Sequence, residues 1–187
     1  MAALGFALFE TKIGACGIAW RADENAHRIV LVQLPEDDAT ATRARVRRRV
    51  PGAEEMAPPS SVQAITQRIA AMIAGAKDDL ADVPLDMGEL PEFDRRVFEV
   101  ARTIPPGKTR SYGDLAFMIG ERQPESAQRV GQALGRNPFA PVVPCHRVLA
   151  ANGHMNGFSA YGGIATKRKM LVTEGAIPEE PDLFGGA

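Results

Sequence analysis

The chain has 187 residues, 45% of them apolar and 24% charged, and a formal net charge of −1 at pH 7. This is enough apolar material for a core, which excludes global disorder; two cysteines are too few for a disulfide framework. No apolar run approaches the ~20 residues a membrane span needs. The opening MAALGFALFETK has no basic leader and reads as a strand, not a targeting peptide. The near-neutral total hides an uneven distribution. Residues 1–90 carry 10 bases and 13 acids, 91–177 carry 12 and 7, and 178–187 carry three acids and no base. A basic block of +5 therefore lies between two flanks of −3 each. These segments are the expected N-terminal α/β domain with its connector, a helical domain and an acidic tail.

Short β-rich runs at 6–11, 14–20 and 27–34 predict three strands. Turn material at 21–25 and at 35–38 separates or ends them. Residues 39–50 predict a helix closed by Pro51-Gly52, and its arginines (Arg43, Arg45, Arg47, Arg48, Arg49) read as a solvated face. Ser60 or Ser61 caps a second helix with Ile65, Ile69, Met72 and Ile73 as its apolar stripe. Residues 79–91 read as a connector. Residues 92–103 predict a helix stopped by Ile104-Pro105-Pro106-Gly107. Ser111-Tyr112-Gly113-Asp114 fits a capping box before a short helix at 112–119. Pro124 precedes a helix at 125–136 that Asn137-Pro138 ends. Val142-Val143, then 148–150 and the turn Ala151-Asn152-Gly153, suggest a two-stranded wing. A last helix covers 165–174.

The sharpest chemical feature is Pro144-Cys145-His146-Arg147-Val148. A thiol attacks only as thiolate, so its pKa of about 8.5 must fall or a base must take its proton. In an extended segment neighbouring side chains point to opposite faces. Cys145 and His146 would therefore need a bend or a bridging water to communicate, and Pro141 and Pro144 restrict the backbone enough to fix one. Cys16, Cys145, His27, His146 and His154 show no paired metal-ligand spacing, so neither metal nor cofactor is expected. Cys16 reads as a core thiol.

IPPGKTRSYGDLA at 104–116, Asn137-Pro138, PCHRV, a Gly/Ser/Tyr turn, Lys167 and Glu174 occur in that order. Together they resemble the O6-alkylguanine-DNA alkyltransferase family. The resemblance covers residues 93–177 well and 1–90 in outline. It implies an α+β protein: a small α/β N-terminal domain, then an all-α, winged helix-turn-helix-like C-terminal domain with a short wing. It implies direct, irreversible, single-turnover transfer of an alkyl group from O6-alkylguanine, with O4-alkylthymine as a second lesion, to Cys145. In that scheme His146 is the water-mediated base, Glu174 orients it, and Asn137 buttresses the turn. A stacked guanine cannot present its O6 substituent to a buried thiolate, so the base must be flipped out.

The same resemblance puts Tyr112 and the helix carrying Gln128 and Gly131 on the DNA; Arg129, Arg136 and Lys108 are candidate phosphate contacts, and Arg147 is expected on the DNA as well. It puts Pro144, Val148, Phe158, Ser159 and Tyr161 around the substrate. The partner is alkylated double-stranded DNA entered through its minor groove by the helix at 125–136. The protein is expected to be a cytoplasmic monomer with no membrane contact, its free thiol needing a reducing compartment.

Three features depart from the family pattern. Gln128 stands where the family has an arginine finger, and Arg129 lies one step along, about 100° round the helix. Phe158 replaces the pocket tyrosine, and the loop at 157–163 is two residues longer. About two more residues are inserted between Tyr112 and Gly131. The alternative reading is therefore a protein that binds alkylated DNA with altered or lost transfer.

Overall fold

The computed structural model describes residues 4–23, 26–155 and 157–179. Residues 24 and 25 of the expected turn and the acidic tail from 180 onward lie outside the described residues, while Arg21 to Asp23 continue a strand in place of the expected turn. Strands β1 (Leu4–Thr11), β2 (Gly14–Asp23) and β3 (Ala26–Gln33) form an antiparallel meander. The two-residue β4 (Glu54–Glu55) adds parallel to β1, giving the order β3-β2-β1-β4. This fourth strand is too short to leave a periodic signal in the sequence.

The register decides which side chains meet. Phe6, Ala19 and Leu31 stand side by side on one face, and Ala7, Ile18 and Val32 on the other. The first set packs with Val46 of helix α1 (Ala39–Arg49). Gly17 makes that approach feasible, since a Cβ there would lie 2.5 Å from the Val46 side chain. Asp38 caps α1, its carboxylate accepting from the Ala41 amide at 2.7 Å.

The opposite face belongs to a larger core shared with the rest of the chain. Helix α2 (Ser60–Ile73) contributes Val62, Ile65, Ile69, Met72 and Ile73. Helix α3 (Glu92–Ala101) contributes Val97, Phe98 and Ala101. Phe98 meets Phe139 edge to face with ring centroids 6.5 Å apart. Val32 donates its amide to the Pro138 carbonyl at 2.8 Å, so β3 reaches into the segment that leads to Cys145. The connector is pinned by two arginines. Arg68 forks onto Asp78 and Asp82, and Arg102 donates to the carbonyls of Leu80, Ala81 and Val83.

The expected capping box is present, with Ser111 and Asp114 exchanging side-chain and backbone hydrogen bonds at 3.0 and 2.8 Å. It starts helix α4 (Tyr112–Met118), which packs on α5 (Ser126–Gly135). Helix α6 (Gly163–Glu174) closes the described chain.

The wing differs from expectation. Val142 and Val143 lie in a turn, because Asn137 donates to the Val143 carbonyl at 2.8 Å and Pro141 and Pro144 have no amide hydrogen to give a ladder. Strand β6 (Val148–Leu149) pairs instead in parallel with β5 (Arg110–Ser111). Residues 150–154 do form the expected turn, with Gly153 donating to Ala150 and Ala150 to His154. No helix among the described residues is long and apolar enough to cross a membrane.

Because Phe98 joins the sheet-side core to the Phe139 segment, Phe98→Ala should lower the unfolding free energy by about 3–5 kcal/mol. Urea unfolding at pH 7 measures this.

Candidate active site

Residues Cys145–Arg147 form a single 3-10 turn after Pro144. This is the bend that the alternation argument called for, and it lets Cys145 and His146 serve one site. Asn137 holds the preceding segment from two sides. Its amide donates to the Val143 carbonyl at 2.8 Å, and its carbonyl accepts from the Phe139 amide at 2.9 Å. The Asn137 side chain also hydrogen-bonds the Cys145 thiol.

Cys145 is only 7% exposed. Burial pushes its thiol pKa up, opposed by the Asn137 hydrogen bond and the charge of Lys167, and burial wins. The resting group is thus a protonated thiol that needs a base.

The candidate base is the next residue in the turn. His146 is wholly buried, with Nε2 2.8 Å from Glu174 Oε1. Burial pushes the Glu174 carboxyl up, but hydrogen bonds from His146 and Arg147, with the Arg147 charge, outweigh it and hold the group at about 2. An ionised carboxylate can only accept, so Nε2 carries the hydrogen. Burial lowers the His146 pKa more than Glu174 raises it, so the ring is neutral and Nδ1 presents a lone pair. Nδ1 is buried without a hydrogen-bond partner among the described residues. A neutral imidazole of fixed tautomer with a free basic nitrogen is what thiol deprotonation requires.

Arg147 completes the buried cluster and corrects an expectation. It is 2% exposed, with Nε and Nη2 on the Glu174 carboxylate at 2.8–3.2 Å and Nη1 donating to the Ile104 carbonyl at 2.7 Å. Held there, it cannot reach a DNA phosphate. Glu174 is itself anchored, since Lys77 donates to its backbone carbonyl and the Gly107 amide lies 3.4 Å from Oε2.

Sequence reasoning assigned no role to Lys167. It is buried and donates to the Val148 carbonyl at 2.7 Å. Burial lowers its pKa, and its Nζ lies 5.9 Å from the Tyr112 ring centroid. Helical spacing carried the signal: Lys167, Met170, Leu171 and Glu174 fall at i, i+3, i+4 and i+7, and all four are buried. One face of α6 thus delivers both Lys167 and Glu174 to the site.

One space adjoins the cysteine and a second lies beyond it. A chamber of about 40 Å³ is lined by Cys145, Lys167, Tyr112, Gly131, Leu134, Gly135, Gly157, Phe158 and Ser159. A cleft of about 630 Å³ runs outside it along Gly113, Ala127, Gln128, Gln132, Ala150 and Ala151, sharing Tyr112, Gly131 and Gly157 with the chamber. The chamber has room for about one water, so a purine needs the segment at 157–159 to move outward.

The remaining predicted residues divide. Gln128 lines the cleft. Arg129 turns away from it, pairing with Glu121 at 3.1 Å and lying 4.2 Å over the Phe93 ring. Arg136 forks onto Asp94. Three expected pocket residues are elsewhere. Pro144 and Val148 are buried and line neither space. Tyr161 is 53% exposed and donates to Asp37 at 3.0 Å, because the longer loop carries it out to the N-terminal half. Cys16 is fully buried, and burial pushes its thiol to about 12.

The comparisons agree in pointing one way. Residues 92–176 match the family model for the 6-O-methylguanine DNA methyltransferase DNA-binding domain. A methylated-DNA–protein-cysteine methyltransferase of Mycobacterium bovis is 41% identical over 127 residues, 67% of this chain and 73% of that protein. One from Methanothermobacter thermautotrophicus is 35% identical over 125 residues, 67% and 68% of the two chains. The crystal structure of Mycobacterium tuberculosis OGT in complex with DNA superposes with a TM-score of 0.70 at 30% identity, covering 92% of this chain and 93% of that one.

Glu174→Gln would leave the Arg147 charge buried and unpaired, and should lower stability at pH 7 by about 3–5 kcal/mol. The acid limb follows from the same groups. Glu174 has a folded pKa near 2, below its ordinary 4.5, so its contribution is complete above pH 4.5 and lost as pH falls through 2. His146 is lowered from 6.5, so its contribution is complete above pH 6.5 and declines below. Urea titrations should show wild-type stability falling across both windows and the Gln variant falling less steeply in the lower one, where the remaining paired carboxylates Asp78, Asp82 and Asp114 still titrate.

Proposed function

The chain belongs to the methylated-DNA–protein-cysteine methyltransferase family, and from that premise we propose that it moves the alkyl group of O6-alkylguanine in DNA onto Cys145. The observation that carries the assignment is the free Nδ1 of a neutral, buried His146, the residue after Cys145 in one 3-10 turn, with Nε2 tied to an ionised Glu174. No bound cofactor is needed for the chemistry.

The transfer is a displacement at the alkyl carbon. His146 Nδ1 takes the Cys145 proton through an intervening water, which spans the gap left by the 3-10 turn. The sulfur electron pair forms the S–C bond as the C–O6 bond breaks, and the bonding pair leaves on guanine. The proton held by His146 returns through the same water to the released guanine, so thiol plus alkylguanine become thioether plus guanine. Lys167, positively charged and near the sulfur, favours the thiolate as it forms. Asn137 fixes the turn from which the sulfur attacks. A thioether has no thiol left to activate, so each molecule acts once.

DNA lies in the cleft along α5 in this reading. Helices α4 and α5 act as a helix-turn-helix with residues 148–154 as the wing, and α5 enters the minor groove. The support is the small-residue face: Ala127 and Gly131 line the cleft, and nothing lies within 4 Å of a Cβ built on Gly135. Tyr112 sits at the junction of cleft and chamber, suited to guide the nucleotide inward, with Phe158 and Ser159 over it. A Cβ at Gly131 would lie in ordinary contact with the Tyr112 ring, 3.7 Å away, so only a longer side chain there would fill the space between helix and ring. The working unit is a monomer in the cytoplasm, where the thiol stays reduced.

Gln128 occupies the place from which a side chain would fill the stack. It hydrogen-bonds but brings no cation or stacking plane, and flipping costs a few kcal/mol. Gln128→Arg should therefore speed transfer from an O6-methylguanine duplex by about tenfold, equivalent to ~1.4 kcal/mol. Its transfer from free O6-benzylguanine should not change. Intact-mass and peptide analysis after incubation with the duplex tests the assignment itself. One methyl group on the Cys145 peptide, absent in Cys145→Ala, is the expected result. Tight binding with no mass gain would favour the lesion-binding alternative.

A further inference from the structure

The arginine run of α1 divides into two sets. Arg43 and Arg47, four residues apart, both turn to Glu55, at 2.9 and 3.1 Å. Arg45 and Arg49, on the same spacing but rotated around the helix, face the other way into a cleft of about 220 Å³. Across it stand Arg136 and Asn137 after α5, and Ser159 and Ala160 of the loop over Cys145. Ser159 lines both this cleft and the cysteine chamber.

These guanidiniums are under-neutralised. Arg45 has its nearest carboxylate oxygen, on Glu36, at 3.7 Å, and its buried Nε has no hydrogen-bond partner among the described residues. Arg49 donates to the neutral Gln33 amide at 3.1 Å. Its pKa is lowered by burial first and by the charge of Arg45 second, with Glu36 opposing. One carboxylate is therefore shared between two cations. Arg136 is satisfied by Asp94 but keeps 58% of its side chain exposed toward solvent.

We propose that Arg45 and Arg49 hold a backbone phosphate of the lesion-bearing DNA strand, on the side of the active-site loop opposite the chamber. The proposal rests on the functional reading above, because a strand that delivers its base past Ser159 must continue along this loop. A phosphodiester fits the chemistry of the cleft. It offers two acceptor oxygens to guanidinium forks, and it discharges the excess that Glu36 leaves. The N-terminal half then grips DNA directly, and the +5 of the C-terminal segment understates the cationic surface available to the duplex.

The test is equilibrium binding of full-length protein to an O6-methylguanine duplex over a range of NaCl concentrations, with Cys145→Ala in every protein so that no transfer intervenes, alongside transfer by the Cys145-containing proteins from free O6-benzylguanine, which has no phosphate. Arg45→Gln/Arg49→Gln should weaken duplex binding by about tenfold near 0.1 M salt and reduce the log–log salt slope by about 0.9, the signature of one lost phosphate contact. Free-base transfer should be unchanged, and Arg45→Lys/Arg49→Lys should restore the slope. An unchanged slope and affinity would overturn the proposal, as would a parallel loss of free-base transfer. So would a wild-type-only response to inorganic phosphate, beyond its ionic strength, with the duplex slope unaltered, since the cleft would then take a free anion. Failure of wild type to transfer from both an O6-methylguanine duplex and free O6-benzylguanine would count against the functional reading instead.

Discussion

The site depends on one buried carboxylate. Glu174 is shared by the His146 ring and the Arg147 guanidinium, all three within the core. Removing charges from water is expensive and is repaid only where geometry and hydrogen bonding are complete. Here Arg147 meets the carboxylate with two nitrogens and gives a third to a backbone carbonyl. The ion pair keeps Glu174 ionised, and only an ionised Glu174 forces the hydrogen onto Nε2. The basic lone pair on Nδ1 thus follows from a salt bridge that does not touch the thiol.

The charge balance around the sulfur follows from the same arrangement. Glu174 and Arg147 cancel, leaving Lys167 as the net charge of the buried cluster. A single positive charge near Cys145 does not overcome the burial of the thiol at rest, yet it favours the anion once the proton moves. The resting thiol is therefore kept protonated, while deprotonation stays within reach when an electrophile fills the chamber. The chamber itself is too small for a purine, so base entry requires the segment at 157–159 to move outward.

Much of this was legible in the sequence, for local reasons. The helices follow the 3.6-residue period, and α4 is announced by its Ser111–Asp114 box. Cys145, His146, Asn137 and Glu174 converge as the motif order implied. The failures are non-local. Arg147 looked like a surface cation because its partner Glu174 lies 27 residues on. The wing looked self-contained, but β6 pairs with β5, whose two residues have no strand period. Tyr161 was placed by motif in the pocket, whereas the longer loop gives it Asp37, 124 residues away, as partner. The α1 arginines looked like one solvated face, and only the position of Glu55 on one side and the Ser159 loop on the other divides them.

The central claim is that the Glu174–Arg147 pair fixes His146 as a neutral ring with its hydrogen on Nε2. Long-range nitrogen–proton NMR correlation on imidazole-labelled protein at pH 7 observes this directly. The account predicts, for His146, a protonated Nε2 and an unprotonated Nδ1 with the shift of a free basic nitrogen. An imidazolium pattern, or a hydrogen on Nδ1, would contradict it.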